Sequence, residues 1–130
     1  MSLYEYRCEV RRVVDGDTLV ADIDLGLFVN IRKTVRMLGY NAPELFPGHA
    51  KTQDERDMGK LAKEHLEGLL AGHHVNITTT LDKDDKYGRV LGALFLTDTL
   101  VDVNADMRAF TLAQWRALHQ LSPLIYPEVP

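Results

Sequence analysis

The chain opens on a strict alternation, with Tyr4, Tyr6, Cys8 and Val10 on one parity and Glu5, Arg7 and Glu9 on the other. That is the period-two signature of a half-buried strand over residues 4–10. Asp15-Gly16 supplies a tight turn, after which Leu19, Ala21, Ile23 and Leu25 alternate with Thr18, Asp22 and Asp24. A second strand, hairpin partner of the first, is expected there. Beyond Gly26, Val29, Ile31, Val35 and Met37 share one parity and Asn30, Arg32, Thr34 and Arg36 the other, which predicts a third strand ending near Gly39. Residues 45–53 contain Pro47, Gly48 and Thr52 and show no period, so they read as an exposed loop able to close over a substrate.

The period then changes. Met58, Ala62, His65, Leu66, Leu69 and Leu70 recur at three- and four-residue spacings, which predicts a helix over residues 54–70 that stops before Gly72. Val75, Ile77, Thr79 and Leu81 mark a fourth strand, residues 82–86 a polar turn, and Val90–Leu96 a more continuously apolar fifth strand. Asn104 or Asp106 is expected to cap a second helix carrying Met107, Phe110, Thr111, Gln114, Leu118 and Leu121, with Pro123 ending it and residues 123–130 as a poorly ordered tail. Three strands, a helix, two strands and a helix make a mostly β, α+β fold. The order suits a five-stranded closed barrel of the oligonucleotide-binding (OB) type, with one helix between strands three and four and one at the C-terminal end.

Composition narrows the picture. With 130 residues, 45% hydrophobic and 26% charged, and no repeat, low-complexity tract or linker, one domain over residues 1–130 is expected, and a monomer. Met1-Ser2-Leu3 is compatible with a cloning remnant, which would leave room for a native leader. A net charge of -4 argues against a protein that grips nucleic acid through a broad basic face, so any phosphate binding must be local. The single cysteine, Cys8, rules out an intrachain disulfide and a multi-cysteine zinc cluster. Neither a basic region followed by an apolar run nor an apolar stretch of roughly 18 residues is present, so the chain as it stands reads as soluble, without membrane association, and cytoplasmic rather than secreted.

Three short segments carry the chemistry. Asp15 and Asp17 flank a glycine at the entry to a strand, where both carboxylates can project to one side and bridge a hard cation, although Asp-Gly also serves as a plain hairpin turn. Arg36 lies eight residues before Glu44, and the Asn41-Ala42-Pro43 bend between them can swing both into one cleft. Pro43 biases Ala42 toward extended backbone, leaving the Ala42 carbonyl and the Asn41 side-chain oxygen as candidate oxygen ligands; a solvated turn is the simpler alternative. Lys86, Tyr87 and Arg89 surround Gly88, and two cations with a phenol can embrace a phosphate, although a charged hairpin tip would look alike. Taken together, paired acids for a divalent cation, a free carboxylate at Glu44 for a general base and two guanidiniums suit phosphodiester hydrolysis.

Other patterns drop out. The Asp82-Lys83-Asp84-Asp85 run lacks the EF-hand arrangement, since Lys86 and Tyr87 occupy its fifth and sixth positions. His49, His65, His73, His74 and His119 have no metalloprotease spacing, and Trp115 suits packing more than base stacking.

In these segments the sequence resembles the staphylococcal-nuclease-like (thermonuclease, SNase-like) family, whose Asp-Gly-Asp-Thr, Arg-x7-Glu and Asp-Lys-Tyr-Gly-Arg signatures it carries in the same order. Gly59-x-x-Ala62-x-x-x-Leu66 and Val103-Asn104 extend the likeness over residues 5–120. The resemblance implies a calcium-dependent nuclease on a five-stranded barrel, acting on DNA and RNA and leaving 3′-phosphates. It implies that Asp17 and the Ala42 carbonyl bind one calcium ion with Asp15 in the outer shell, and that Glu44 orients or deprotonates the attacking water. Arg36 and Arg89 would hold the scissile phosphate, and Lys86 and Tyr87 a neighbouring one. Asn41 departs from the pattern by standing where an acidic ligand is found, which predicts weak calcium affinity. The second helix, at Arg108-Ala109-Phe110-Thr111-Leu112-Ala113, lacks the family's usual glycine, and no tyrosines match those of the nucleotide pocket. A non-catalytic barrel that binds nucleic acid or protein is the alternative reading.

Overall fold

The computed structural model describes residues 4–43, 52–80 and 88–119. Five strands and two helices follow in the order β1 (Glu5–Asp15), β2 (Thr18–Gly26), β3 (Val29–Met37), α1 (Gln53–Leu70), β4 (Val75–Thr80), β5 (Val90–Leu96) and α2 (Val103–His119). The strands close into a barrel in the order β1-β2-β3-β5-β4, with β4 returning to pair with β1. All pairings are antiparallel except β3 with β5, which run parallel over Val35–Met37. The α+β barrel expected from the hydrophobic pattern is therefore the one observed. Glu44, residues 45–51 of the expected loop, Leu81, Lys86, Tyr87 and residues 123–130 lie outside the described residues, whereas Thr52 and Gln53, expected in that loop, are the cap and first residue of α1.

β1 runs five residues beyond the expected end. Its pairing with β2 shifts register between Val10 and Arg12 and again between Val13 and Asp15. A bulge reverses which parity faces the core, so the half-buried set moves from Tyr6, Cys8 and Val10 to Val13. A period-two reading stops at such a point because the period itself is interrupted. Burial pushes the Cys8 thiol up to about 11.

The β2–β3 hairpin differs in another way. Val29 and Ile31 share the parity of Val35 and Met37 but are 52% and 39% exposed, because β3 meets β5 only over its last three residues and its first half runs past the barrel. The turn at Gly26, Leu27 and Phe28 lies wholly in left-handed backbone, with Leu27 and Phe28 almost fully in solvent.

Inside the barrel, Leu19, Val35, Ile77 and Leu94 are fully buried, and α1 and α2 add Leu66 and Met107. Each such side chain contributes about 1.5–3 kcal/mol through burial. Gly92 faces this interior, where a Cβ would come within 2.6 Å of Ile77 Cδ1. Thr52 caps α1 by accepting from the Glu55 amide at 3.1 Å. For α2 the cap is Asp102, which accepts from the Ala105 amide at 3.0 Å; neither Asn104 nor Asp106 fills that position. Asn104 is instead buried against the middle of β5 and the residue that follows β3, and Asp106 pairs with His65. Among the described residues, no helix is long and apolar enough to cross a membrane.

Candidate active site

The Asp15-Gly16-Asp17 turn joins β1 to β2, and its shape is set by its own carboxylate: Asp15 Oδ1 accepts from the Asp17 amide at 3.1 Å. Gly16 is required by close approach. A Cβ there would lie 2.7 Å from the Ala62 Cβ on α1 and 2.8 Å from the Ala42 Cβ, so only a glycine lets the helix and the segment after β3 press onto the turn.

Cross-strand register brings in Arg36, which stands opposite Thr18 while the Met37 amide donates to the Asp17 carbonyl at 2.9 Å. Asp17 then gathers three partners. Its Oδ1 accepts from the Thr18 hydroxyl at 2.8 Å, and its Oδ2 accepts from the Ala42 amide at 2.8 Å and lies 3.2 Å from Arg36 Nη1. Arg36 Nη1 also donates to the Tyr40 carbonyl at 2.7 Å, and its Nη2 donates to Asn41 Oδ1. Both members of the ion pair are mostly shielded, with 20% of the Arg36 and 13% of the Asp17 side chain exposed, so their interaction is screened less than a surface pair. Five candidate residues, Asp15, Asp17, Arg36, Asn41 and Ala42, thus lie together.

Arg89 stands immediately before β5. The parallel register pairs Arg36 with Leu91, two residues after Arg89 on the neighbouring strand. Glu44, Lys86 and Tyr87 belong to the segments outside the described residues.

The electrostatics of the turn suit a cation. Burial, followed by the hydrogen bond with Asp17 and its charge, pushes the Asp15 carboxyl up to about 7. Two carboxylates this close disfavour simultaneous ionisation, and a bound positive charge would remove that penalty. The candidate ligand atoms, two carboxylates, the Asn41 amide oxygen and the Ala42 carbonyl, are all oxygens, a donor chemistry that fits a hard divalent cation rather than a thiophilic or imidazole-binding metal. Among the described residues no group of three or more His, Cys, Asp and Glu side chains converges.

Several contributors escape a reading of motifs. Tyr40 is buried, with its hydroxyl 2.6 Å from Thr111 Oγ1 on α2, and burial pushes its phenol up to about 12. Asn104 donates to the Leu38 carbonyl at 2.7 Å, and Arg108 to the Gly39 carbonyl at 3.3 Å. The sequence hint for Asn104 was its place in the Val103-Asn104 pair; Tyr40 and Thr111 offered none. The histidines take other places: His65 meets Asp106 at 2.7 Å and stacks on Phe110 at 3.9 Å, joining α1 to α2, and His73 meets Asp98 at 2.9 Å.

The chain has relatives among known proteins. Residues 34–120 match the family model described as staphylococcal nuclease homologue. A thermonuclease from Staphylococcus intermedius is 31% identical over 106 residues, covering 82% of this chain and 58% of that protein. Endonuclease YhcR of Bacillus subtilis (strain 168) is 32% identical over 106 residues, covering 79% of this chain and 8% of the relative. An uncharacterized endonuclease of Escherichia coli is 31% identical over 100 residues, covering 75% of this chain and 53% of its own length. The chain therefore spans about half the length of the thermonuclease and of the Escherichia coli protein, and a small part of the Bacillus one. The match over residues 34–120, the relatives at about 30% identity and the closed barrel together place this chain in the staphylococcal nuclease homologue family.

Proposed function

We propose that this chain is a calcium-dependent nuclease that hydrolyses phosphodiester bonds of DNA or RNA and leaves 3′-phosphates. One observation carries the reading: a shielded guanidinium, Arg36, is fixed 3.2 Å from a carboxylate, Asp17, whose neighbours Asp15, Asn41 and Ala42 bear further oxygens. A group that binds phosphate beside a group that binds a hard cation is what in-line attack on phosphorus needs.

In this reading Arg36 and Arg89 grip the non-bridging oxygens of the scissile phosphate. Negative charge grows on those oxygens as water attacks, so donors aimed there stabilise the transition state more than the ground state. Glu44 takes the proton from the attacking water, a contribution of about 10²–10⁴ in rate. The new bond joins the water oxygen to phosphorus, and the bond to the 5′ oxygen breaks. Lys86 and Tyr87 hold a neighbouring phosphate and keep the strand in register. Calcium, when bound by Asp17, Asn41 Oδ1 and the Ala42 carbonyl with Asp15 behind them, supplies positive charge at the reacting phosphate. With a neutral amide at position 41, the site needs calcium near the millimolar range.

The test is cleavage of labelled single-stranded DNA by wild type and Glu44→Gln, each with millimolar calcium and with chelator. Cleavage that requires calcium and collapses in the variant is the expected result. Wild type and variant equally inert while both bind the strand would replace the nuclease by a binding barrel.

A further inference from the structure

Three side chains on one face of α2, at positions 104, 108 and 111, hold three consecutive residues of the turn that follows β3. Asn104 Nδ2 donates to the Leu38 carbonyl at 2.7 Å, Arg108 Nη1 to the Gly39 carbonyl at 3.3 Å, and the Thr111 hydroxyl pairs with the Tyr40 hydroxyl at 2.6 Å. The spacing of four and then three residues keeps all three on one helix stripe. Asn104 also binds the barrel itself, accepting from the Leu94 amide at 3.0 Å and donating to the Gly92 carbonyl at 3.1 Å. The turn is therefore bolted to both helix and sheet.

What the turn carries gives this bolt its meaning. The Tyr40 carbonyl and the Asn41 side chain are acceptors for Arg36, and the Ala42 amide donates to Asp17. We propose that α2 is the positioning arm of the site, and that Tyr40 and Thr111 are positioning residues whose buried hydroxyl pair holds the Arg36 guanidinium and the Asn41–Ala42 oxygens in place. This assignment rests on the proposed nuclease reading for its effect on turnover, and on geometry alone for its effect on the turn. The departure of α2 from the family pattern acquires a use: Thr111 lies in the stretch without the usual glycine, and its hydroxyl reaches an aromatic residue 71 positions earlier.

The chemistry of a buried hydroxyl pair supplies a sharp test. Removing one hydroxyl strands the other without a partner, whereas replacing both by apolar groups of similar shape is nearly neutral for stability. The double variant Tyr40→Phe/Thr111→Val should therefore melt close to wild type yet free the Tyr40 end of the turn, the end that leads into Asn41 and Ala42, while Asn104 and Arg108 still hold Leu38 and Gly39. Two measurements then decide. Exchange of the Ala42 amide with solvent, followed by NMR in the full chain, should speed up about tenfold or more while amides of β2 and β5 stay unchanged. Turnover on single-stranded DNA should fall about tenfold or more with KM little altered, since a misplaced Arg36 is felt in the transition state. Thr111→Ser keeps the hydroxyl and should restore both. Unchanged Ala42 exchange in the double variant would overturn the assignment. If the wild-type chain proves inert, the nuclease reading fails, and the exchange measurement still decides whether α2 positions the turn.

Discussion

Arg36 concentrates the site's requirements in one side chain. Its guanidinium serves Asp17, the Tyr40 carbonyl and the Asn41 amide at once, which takes a planar fork with several fixed donors. A lysine carries the same charge on one nitrogen and cannot span those acceptors. Arg36→Lys is therefore expected to keep the fold, since the side chain stands outside the hydrophobic interior, and to lower kcat on single-stranded DNA by about 10²–10³, the usual cost of losing a preorganised transition-state donor. Steady-state kinetics beside a melting curve checks it; activity within a few-fold of wild type would mean that charge alone suffices. The same residue shows how far motif reading reaches. Asp15, Asp17, Arg36, Asn41 and Ala42 were all visible as short patterns, because hairpin register and a proline bend are local in sequence. Tyr40 and Thr111 were not: a pair formed between a strand end and a distant helix has no spacing to betray it.

Among the elements, α1 is seated by its absences. Where Ala62 crosses the Asp15-Gly16-Asp17 turn there is no room for a methyl group at position 16. Gly16→Ala should push α1 and the Ala42 segment off the turn and destabilise the protein by about 1–3 kcal/mol, as overpacking does. Calcium affinity, read by titration calorimetry, should weaken with it, because Asp17 and Ala42 would no longer meet. A melting temperature equal to wild type would show that the helix slides without cost. Farther along β2, Asp22 ties three strands, accepting from Arg11 of β1 at 2.5 Å and from Arg32 of β3 at 2.7 Å. Hydrogen bonds from Arg32 and then Arg11 lower its carboxyl to about 2. Since the folded value lies below the ordinary 3.8, the contribution is whole above about pH 4 and disappears as pH falls through about 2. Melting curves of wild type and Asp22→Asn should accordingly converge between pH 4 and pH 2; a gap that persists at pH 2 would contradict the linkage. The strands themselves were legible wherever alternation stayed in phase. Legibility failed at the bulges of β1, where the phase resets, and at Val29 and Ile31, where an apolar parity continues beyond the stretch of β3 that pairs with β5.

At the scale of the whole molecule, a net charge of -4 sets the terms on which a polyanion can be held. A basic surface that neutralises six to ten phosphates loses about 10³–10⁵ in affinity as salt rises from about 50 to 200 mM, because each contact releases condensed counterions. Here the proposed phosphate-binding side chains are three, Arg36, Arg89 and Lys86, in a chain whose net charge is otherwise repulsive to a polyanion. With two or three contacts, and a slope of about -0.7 per contact for a single strand, the same change in salt should weaken binding by only about tenfold. KM for single-stranded DNA, measured across that range at saturating calcium, is expected to rise by this modest factor, while Lys86→Met flattens the slope by close to one contact. A rise of 10³ or more would require a second set of basic residues on the strand's path, and the locality of the site would have to be given up. Weak dependence on salt would instead follow from a site built by a few fixed guanidiniums against a cation, where affinity is sacrificed and the charge is aimed at the one phosphate that reacts.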